Sequence, residues 1–248
     1  MTKQSQEQLA QKLINSWKLE PGSYSIYVQD LKSGEVYQEN PDTIYHPASL
    51  LKLFVAVMAS ELLEDSEEKE RALKASLRDS DNDALAYLVD ELYYHHESHC
   101  NTEEENHCER LSPSLRAKRS NLNNILQKRQ AITKYFTERG YSSQLRLHNK
   151  CFSFDYYGTE KQILEELGPN QITINDAAKI MLEIYNKHPK LLEYMQRNLD
   201  DQDDYQAQNF IGKSLEAQTF YSKAGWNSKV KHDCCITNGA ASFIFTSK

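Results

Sequence analysis

Short stretches that alternate apolar and polar residues stand at the two ends of this chain, with helical spacing between them. Near the start, "SYSIYVQDL", the turn "KSG" and the returning "EVYQEN" have the period-two pattern of a β-hairpin. Near the end, "TFYSKAGW", "HDCCIT" and "ASFIFTS" read as three further strands. A strand must pair, and the available partners lie at opposite ends of 248 residues. The arrangement predicted is α+β: an antiparallel sheet made from both termini, with a helical lobe inserted between them. The chain is read as one domain over 1–248, with residues 1–46 and 205–248 forming a sheet lobe and 47–204 a helical lobe.

Composition allows this. With 39% hydrophobic and 26% charged residues the chain can bury one sizeable core. The net charge of −7 offers no footing for nucleic acid or an anionic membrane. The longest apolar run, Leu53 to Ala59, is far short of a membrane span. The opening "MTKQSQEQLAQKL" has no apolar signal core, so the chain as it stands is expected in the cytoplasm, or in the periplasm if a signal has been removed. Of five cysteines, Cys234 and Cys235 are adjacent, which suits free thiols in a reducing compartment.

The middle of the chain is mostly helical in pattern. "SQEQLAQKLINSW" precedes the hairpin; "EDSEEKERALKASL", "ALAYLVDELYYHH", "ILQKRQAITKYFTERG" and "KLLEYMQRNL" follow it. "TINDAAKIMLEIYNKHP" is a helix with a threonine cap and a proline just beyond its end. Residues 99–124 are polar and switch from acidic to basic, as a solvated insertion would. "QLRLHNKCFSFDYYGTEKQ" has no clear period and reads as a long ordered loop, with Tyr156 and Tyr157 as candidates to line a cleft.

One segment raises a chemical question. "YHPASLLKLFVAVMASELL" contains the hydroxyl of Ser49 and the amine of Lys52, followed by eight apolar or small residues, Leu53 to Ser60. On a helix, residues three apart share a face. Burial disfavours the charged amine and lowers its pKa. A neutral amine beside a hydroxyl can take its proton and leave a nucleophilic alkoxide. The plainer reading is that S-x-x-K strings are common and that a lysine can reach solvent along its own stem.

Two later strings decide between them. "SDND" at Ser80 to Asp83 comes just before a helix, and "SKAGW" at Ser222 to Trp226 lies on a strand. S-x-x-K, S-D-N and K-T-G in that order mark a group of serine acyl-transfer enzymes. The first two are intact, and the third reads Lys223-Ala224-Gly225. The chain resembles a class A β-lactamase-type serine hydrolase of the penicillin-recognising family, and most resembles the divergent cyanobacterial serine hydrolase branch. "YHPASLLKLF", "SDNDALAYLVD", "NKCFSFDYYGTEKQ", "ITINDAAKIML", "QAQNFIGKSL" and "YSKAGWNSKVKHD" carry the likeness.

The resemblance implies a five-stranded antiparallel sheet packed with helices, an all-helical lobe, and an active site between them. It implies Ser49 as nucleophile, Lys52 as its base, Ser80 as a proton relay to the leaving nitrogen, and Asn82 bonded to Lys52 and the substrate amide. Lys223 supplies charge from the facing strand. Ala224, Gly225 and Trp226 line the substrate and oxyanion side, where the N–H groups of Ser49 and Trp226 receive the oxyanion. The substrate implied is a small-molecule or peptidoglycan-like amide, including β-lactams, with no cofactor and no metal.

The chain departs from the family in four ways. Ala224 stands where a hydroxyl residue helps hold the substrate carboxylate. There is no E-x-x-L-N string for the deacylating water; Glu166 with Asn170 imitates it, and Glu160 is another loop carboxylate, both read as surface groups. The link from Ser49 to Ser80 is short. After "SFIFTSK" no C-terminal covering helix follows, which predicts an exposed apolar sheet face. Within this family's chemistry a D-alanyl peptidase or an esterase would carry the same motifs. The reading from another class is a catalytically impaired or truncated relative that acts as a binding module. His95, His96, His99, Cys100, His107 and Cys108 are zinc-ligand types without a regular zinc spacing, so a solvated loop is the reading preferred for them.

Overall fold

The computed structural model describes residues 3–99, 113–151, 158–237 and 239–247, with backbone only at residue 3 and where these ranges fall within 93–121. Helix α1 (Lys3–Trp17) leads to the hairpin β1 (Tyr24–Asp30) and β2 (Val36–Glu39). The helical part comprises α2 (Leu51–Leu62), α3 (Glu67–Lys74), α4 (Asn82–His99), α5 (Pro113–Thr137), α6 (Gly158–Leu167), α7 (Ile174–Lys187) and α8 (Pro189–Tyr194). The chain returns through β3 (Gln196–Asn198), α9 (Tyr205–Asn209), α10 (Ile211–Leu215), β4 (Thr219–Trp226), β5 (Val230–Thr237) and β6 (Ala240–Ser247).

The sheet has six strands in the order β2-β1-β6-β5-β4-β3, not five. Pairing of β1 with β6, from Tyr24↔Thr246 to Asp30↔Ala240, joins the two ends of the chain as the strand pattern requires. The additional strand is β3, from a stretch that reads as helix. Arg197 holds it extended: its Nη1 reaches both carboxylate oxygens of Asp204, its Nη2 donates to Arg78 O, and its Nε donates to Ser222 O. Four bonds from a buried guanidinium outweigh a helix preference of a few tenths of a kcal/mol per residue, roughly.

The sheet's inner face packs on the helices. Nine consecutive residues of α2, Leu51 to Ala59, are buried, so this helix is apolar all round and runs through the middle of the core. Phe54, Phe136 and Tyr141 stack edge to face beside it. Cys234, Ile236, Phe243 and Phe245 complete this cluster from β5 and β6.

The outer face is covered, contrary to the exposure expected without a C-terminal helix. Ala10 and Leu13 of α1, with Ala207 and Ile211 of α9 and α10, bury Ile26, Val28, Cys235 and Ile244. The helix α7 has the capping box that its sequence promises, with Thr173 and Asp176 each bonding the other's backbone N–H.

Two loop readings change. Gly158–Leu167 is helix rather than loop. Of the polar insertion 99–124, residues 113–124 open α5, and 100–112 lie outside the described residues. Tyr156, Tyr157, Cys100, His107 and Cys108, and the side chains of His95, His96 and His99, also lie outside what is described. Among the described residues no helix is long and apolar enough to cross a membrane. Cys151, Cys234 and Cys235 are free thiols.

Candidate active site

The chain enters α2 through a single 3-10 turn, Ala48–Leu50. Pro47 sets its entry, the Leu50 amide donates to Pro47 O at 3.1 Å, and Ala48 takes a left-handed φ of 48°. That conformation costs a β-carbon residue free energy and persists only where its surroundings impose it. Ser49 follows, half-buried, at the mouth of the apolar helix.

One turn on, Lys52 is wholly buried. Its Nζ lies 3.0 Å from Ser49 Oγ and 2.7 Å from Asn82 Oδ1. Burial pushes its pKa below the ordinary lysine value, with Cys151 and Asp81 opposing this to a lesser degree.

The second pair comes from the other wall. A π-type turn at Ala75–Asp79 ends on Ser80 in a left-handed conformation, φ 60° and ψ 31°. The Asp81 carboxylate then accepts the Ala84 amide at 2.8 Å and starts α4, which aims Asn82 at Lys52. From β4, the buried Lys223 reaches Ser80 Oγ at 2.9 Å and Ala224 O at 2.8 Å. Burial depresses its pKa strongly, and the neighbouring positive charges of Lys52 and Arg197 add to this.

Gly225 lets the walls close. A β-carbon there would stand 2.9 Å from both Pro47 O and Ser49 N, and 3.0 Å from Leu50 N. In the antiparallel ladder, N–H groups alternate in direction. Ser222 N bonds Met195 O and Ala224 N bonds Gln206 Oε1, both away from β5. The Trp226 N–H has the same parity and points the same way, out of the sheet edge. Ala224 itself is fully buried, in register with Asp233.

Thus Ser49, Lys52 and Asn82 meet in one cluster, Ser80 and Lys223 in a second, and Lys223 feels the charge of Lys52. The backbone of Gly225 lies against that of Ser49.

The loop carboxylates part company. Glu166 is exposed. Glu160 is buried instead of lying on the surface, with Oε1 against Arg129 at 2.5 Å and Oε2 accepting the Lys150 amide at 3.3 Å. Arg129 draws it inward, because a buried guanidinium needs an anion. Asn170 is spent on the same loop, accepting the amides of His148 and Asn149.

Three contributors carry no motif. Cys151 donates its thiol hydrogen to Ala48 O at 3.3 Å; burial pushes its pKa up, with the charges of Lys52 and Lys223 opposing this. His46 Nδ1 accepts the Ala48 amide at 3.1 Å, and His232 bonds His46 O. His46 adjoins the Ser49 turn in sequence, whereas only folding brings Cys151 and His232 to it. Among the described residues, Glu61, Glu183 and His188 are a group of metal-ligand types. Their carboxylates already engage Tyr135, Arg139, Tyr141 and Lys187.

Comparison with known proteins bears on the fold. The family model described as "Beta-lactamase enzyme family" matches residues 7–92, which include Ser49, Lys52, Ser80 and Asn82. No curated protein matches the chain. Among solved structures, a β-lactamase from Streptosporangium roseum superposes with a TM-score of 0.60 at 13% identity, covering 100% of this chain and 90% of that one. Class A β-lactamases from Clostridium kluyveri and Mycobacterium abscessus each give 0.55 at 15% identity, covering 98% of this chain and 89% of theirs. The chain therefore has the fold of the class A β-lactamases and, over residues 7–92, the sequence pattern of the β-lactamase enzyme family.

Proposed function

We propose that this protein is a serine hydrolase that takes the acyl group of an amide or β-lactam onto Ser49. The observation that carries this reading is the position of the Lys52 amine, buried and 3.0 Å from Ser49 Oγ. An amine whose charged form is disfavoured can remove the hydroxyl proton as the carbonyl is attacked. Asn82 holds that amine from its far side and orients it. The N–H groups of Ser49 and Trp226 receive the developing oxyanion, which Gly225 permits by close approach. Ser80, bonded to Lys223, passes a proton to the leaving nitrogen. The cleft lies between the sheet lobe, 1–46 with 205–248 and joined by β3, and the helices of 47–204. The substrate is a small molecule or a peptidoglycan-like amide.

Release of the acyl group is the weak step. Glu160 is committed to Arg129 and the Lys150 amide, and Glu166 is exposed, so neither is offered as a base for a deacylating water.

A fluorescent penicillin followed by mass spectrometry tests the reading. Stoichiometric label on the Ser49 peptide, absent from Ser49→Ala and at least about 10²-fold slower in Lys52→Met, is expected. Label on another residue, or none on a folded protein, would leave the binding-module reading in its place.

A further inference from the structure

We propose that His232, which the sequence motifs do not mark, is the positioning residue that sets the oxyanion-binding turn at Ser49. The inference rests on the acyl-Ser49 reading and concerns how the donors are held.

The argument begins with one rung of the β4–β5 ladder, Gly225↔His232. The two residues face the same side of the sheet, and each touches the turn that carries Ser49. Gly225 meets Pro47 O, Ser49 N and Leu50 N. The His232 Nε2 lies 2.9 Å from His46 O, at the other end of that turn. A single rung therefore holds both ends of residues 46–50.

The imidazole has one chemical way to do this. Thr246 N, a backbone donor, lies 3.3 Å from its Nδ1, so Nδ1 must present a lone pair. His46 O can only accept, so Nε2 must carry the hydrogen. The neutral Nε2–H tautomer satisfies both and no other form does. The ring is wholly buried between Tyr45, centroids 5.4 Å apart, and Phe245, centroids 4.4 Å apart. Burial lowers its pKa to about 4, which keeps this form at neutral pH.

The turn needs holding. Ala48 is left-handed at φ 48°, and its N–H and C=O are tied by His46 Nδ1 and the Cys151 thiol. His232 anchors the preceding carbonyl to the sheet that presents Trp226. The distance between the Ser49 and Trp226 amides is thereby fixed by β5, a strand that carries none of the motif residues. Misplacement of a catalytic group by about 1 Å can cost about 10²-fold in rate.

The test is acylation by a fluorescent penicillin, with burst amplitude, acylation rate constant and noncovalent affinity measured separately. His232→Phe keeps the ring and loses both bonds. It is expected to lower the acylation rate constant about 10²-fold per active site with affinity little changed. His232→Gln, which can donate to His46 O and accept from Thr246 N, is expected to recover to within roughly tenfold of the parent. A merely structural role would lower burst amplitude and melting temperature but leave the rate constant of the surviving sites alone; that result overturns the proposal. Imidazole nitrogen NMR of the unaltered protein is the second measurement. A protonated Nδ1 at pH 7 overturns the proposal even if His232→Phe does not fold. Parent protein that takes no label while its His232 shows the Nε2–H tautomer points to failure of the acyl-Ser49 reading, and the positioning role falls with it.

Discussion

Lys223 Nζ lies 2.9 Å from Ser80 Oγ and so ties the strand β4 to the turn that opens α4. Its other acceptor is the Ala224 carbonyl of its own strand. The bond to Ser80 is therefore the one that spans the cleft. Ser80→Ala leaves a buried amine short of an acceptor, at a cost of about 1–3 kcal/mol. That corresponds to a melting temperature lower by a few degrees, at roughly 2–4 °C per kcal/mol for a chain of this size. Lys223→Met removes the amine that needs the acceptor, so the double variant should be no less stable than Ser80→Ala alone. Thermal unfolding of the two single variants and the double decides it. Full additivity would mean the two side chains do not depend on each other.

Gly225 is expected to tolerate no side chain. In Gly225→Ala the new carbon would stand 2.9 Å from Ser49 N and Pro47 O, both backbone atoms that cannot swing aside. Overpacking of this kind costs about 1–3 kcal/mol. Acylation should fall further than stability does, because the atoms displaced belong to the oxyanion side. Labelling at the parent rate in a folded Gly225→Ala protein would show that the two walls approach less closely than described.

Asp233 makes the fold's stability depend on pH. Its carboxyl is fully buried on the outer face, and burial raises its pKa from 3.8 to about 6, with the Ile211 amide, Arg197 and Lys223 opposing the rise. The folded state thus holds a proton that the unfolded state has lost between those values. Stability from this group is present below 3.8 and is lost as pH rises through 6. The neutral amide in Asp233→Asn avoids that loss. The variant should gain about 2 kcal/mol relative to the parent between pH 4 and pH 7.5. His232 works in the opposite direction, since its pKa is lowered from 6.5 to about 4. Its contribution is full above 6.5 and is lost as pH falls through 4, so acid should destabilise Asp233→Asn more steeply than the parent. Denaturant titrations at three pH values measure both slopes, and a pH-independent difference between variant and parent would refute the account.

Turnover should be limited by release. A chromogenic cephalosporin is expected to give a burst of about one product per Ser49 and then a slow steady rate. Glu166→Gln should leave that steady rate unchanged, because Glu166 is exposed. Glu160→Gln should cost stability, since it removes the close anion of the buried Arg129 and leaves it only the more distant Asp90 at 4.0 Å, and should leave the rate of release per folded molecule alone. A fast steady rate that vanishes with Glu166→Gln would make that glutamate the base.

Much of this was legible in the chain. A lysine in an apolar run three residues after a serine, a helix after "SDND" and a strand carrying "KAG" are local patterns. Period and capping report local geometry faithfully, so the pairing of Ser49 with Lys52 and a helix following the "SDND" turn could be read directly, although α4 takes in Asn82 and Asp83, which the pattern leaves to the turn. The antiparallel pairing of the two termini followed from where the strands stood.

Other features depended on contacts between distant residues, which no local pattern encodes. The strand β3 exists because Arg197 bonds Asp204, Arg78 and Ser222, while its own sequence favours helix. Glu160 is buried because Arg129, 31 positions away, needs an anion. His232 reaches His46 across 186 positions of sequence. The sequence by itself determined the chemistry on offer, because residue type and helical spacing suffice to place a hydroxyl beside an amine. Tertiary structure decided the distances between the walls and which buried charges are satisfied, because these depend on packing and desolvation between segments that meet only in the folded chain.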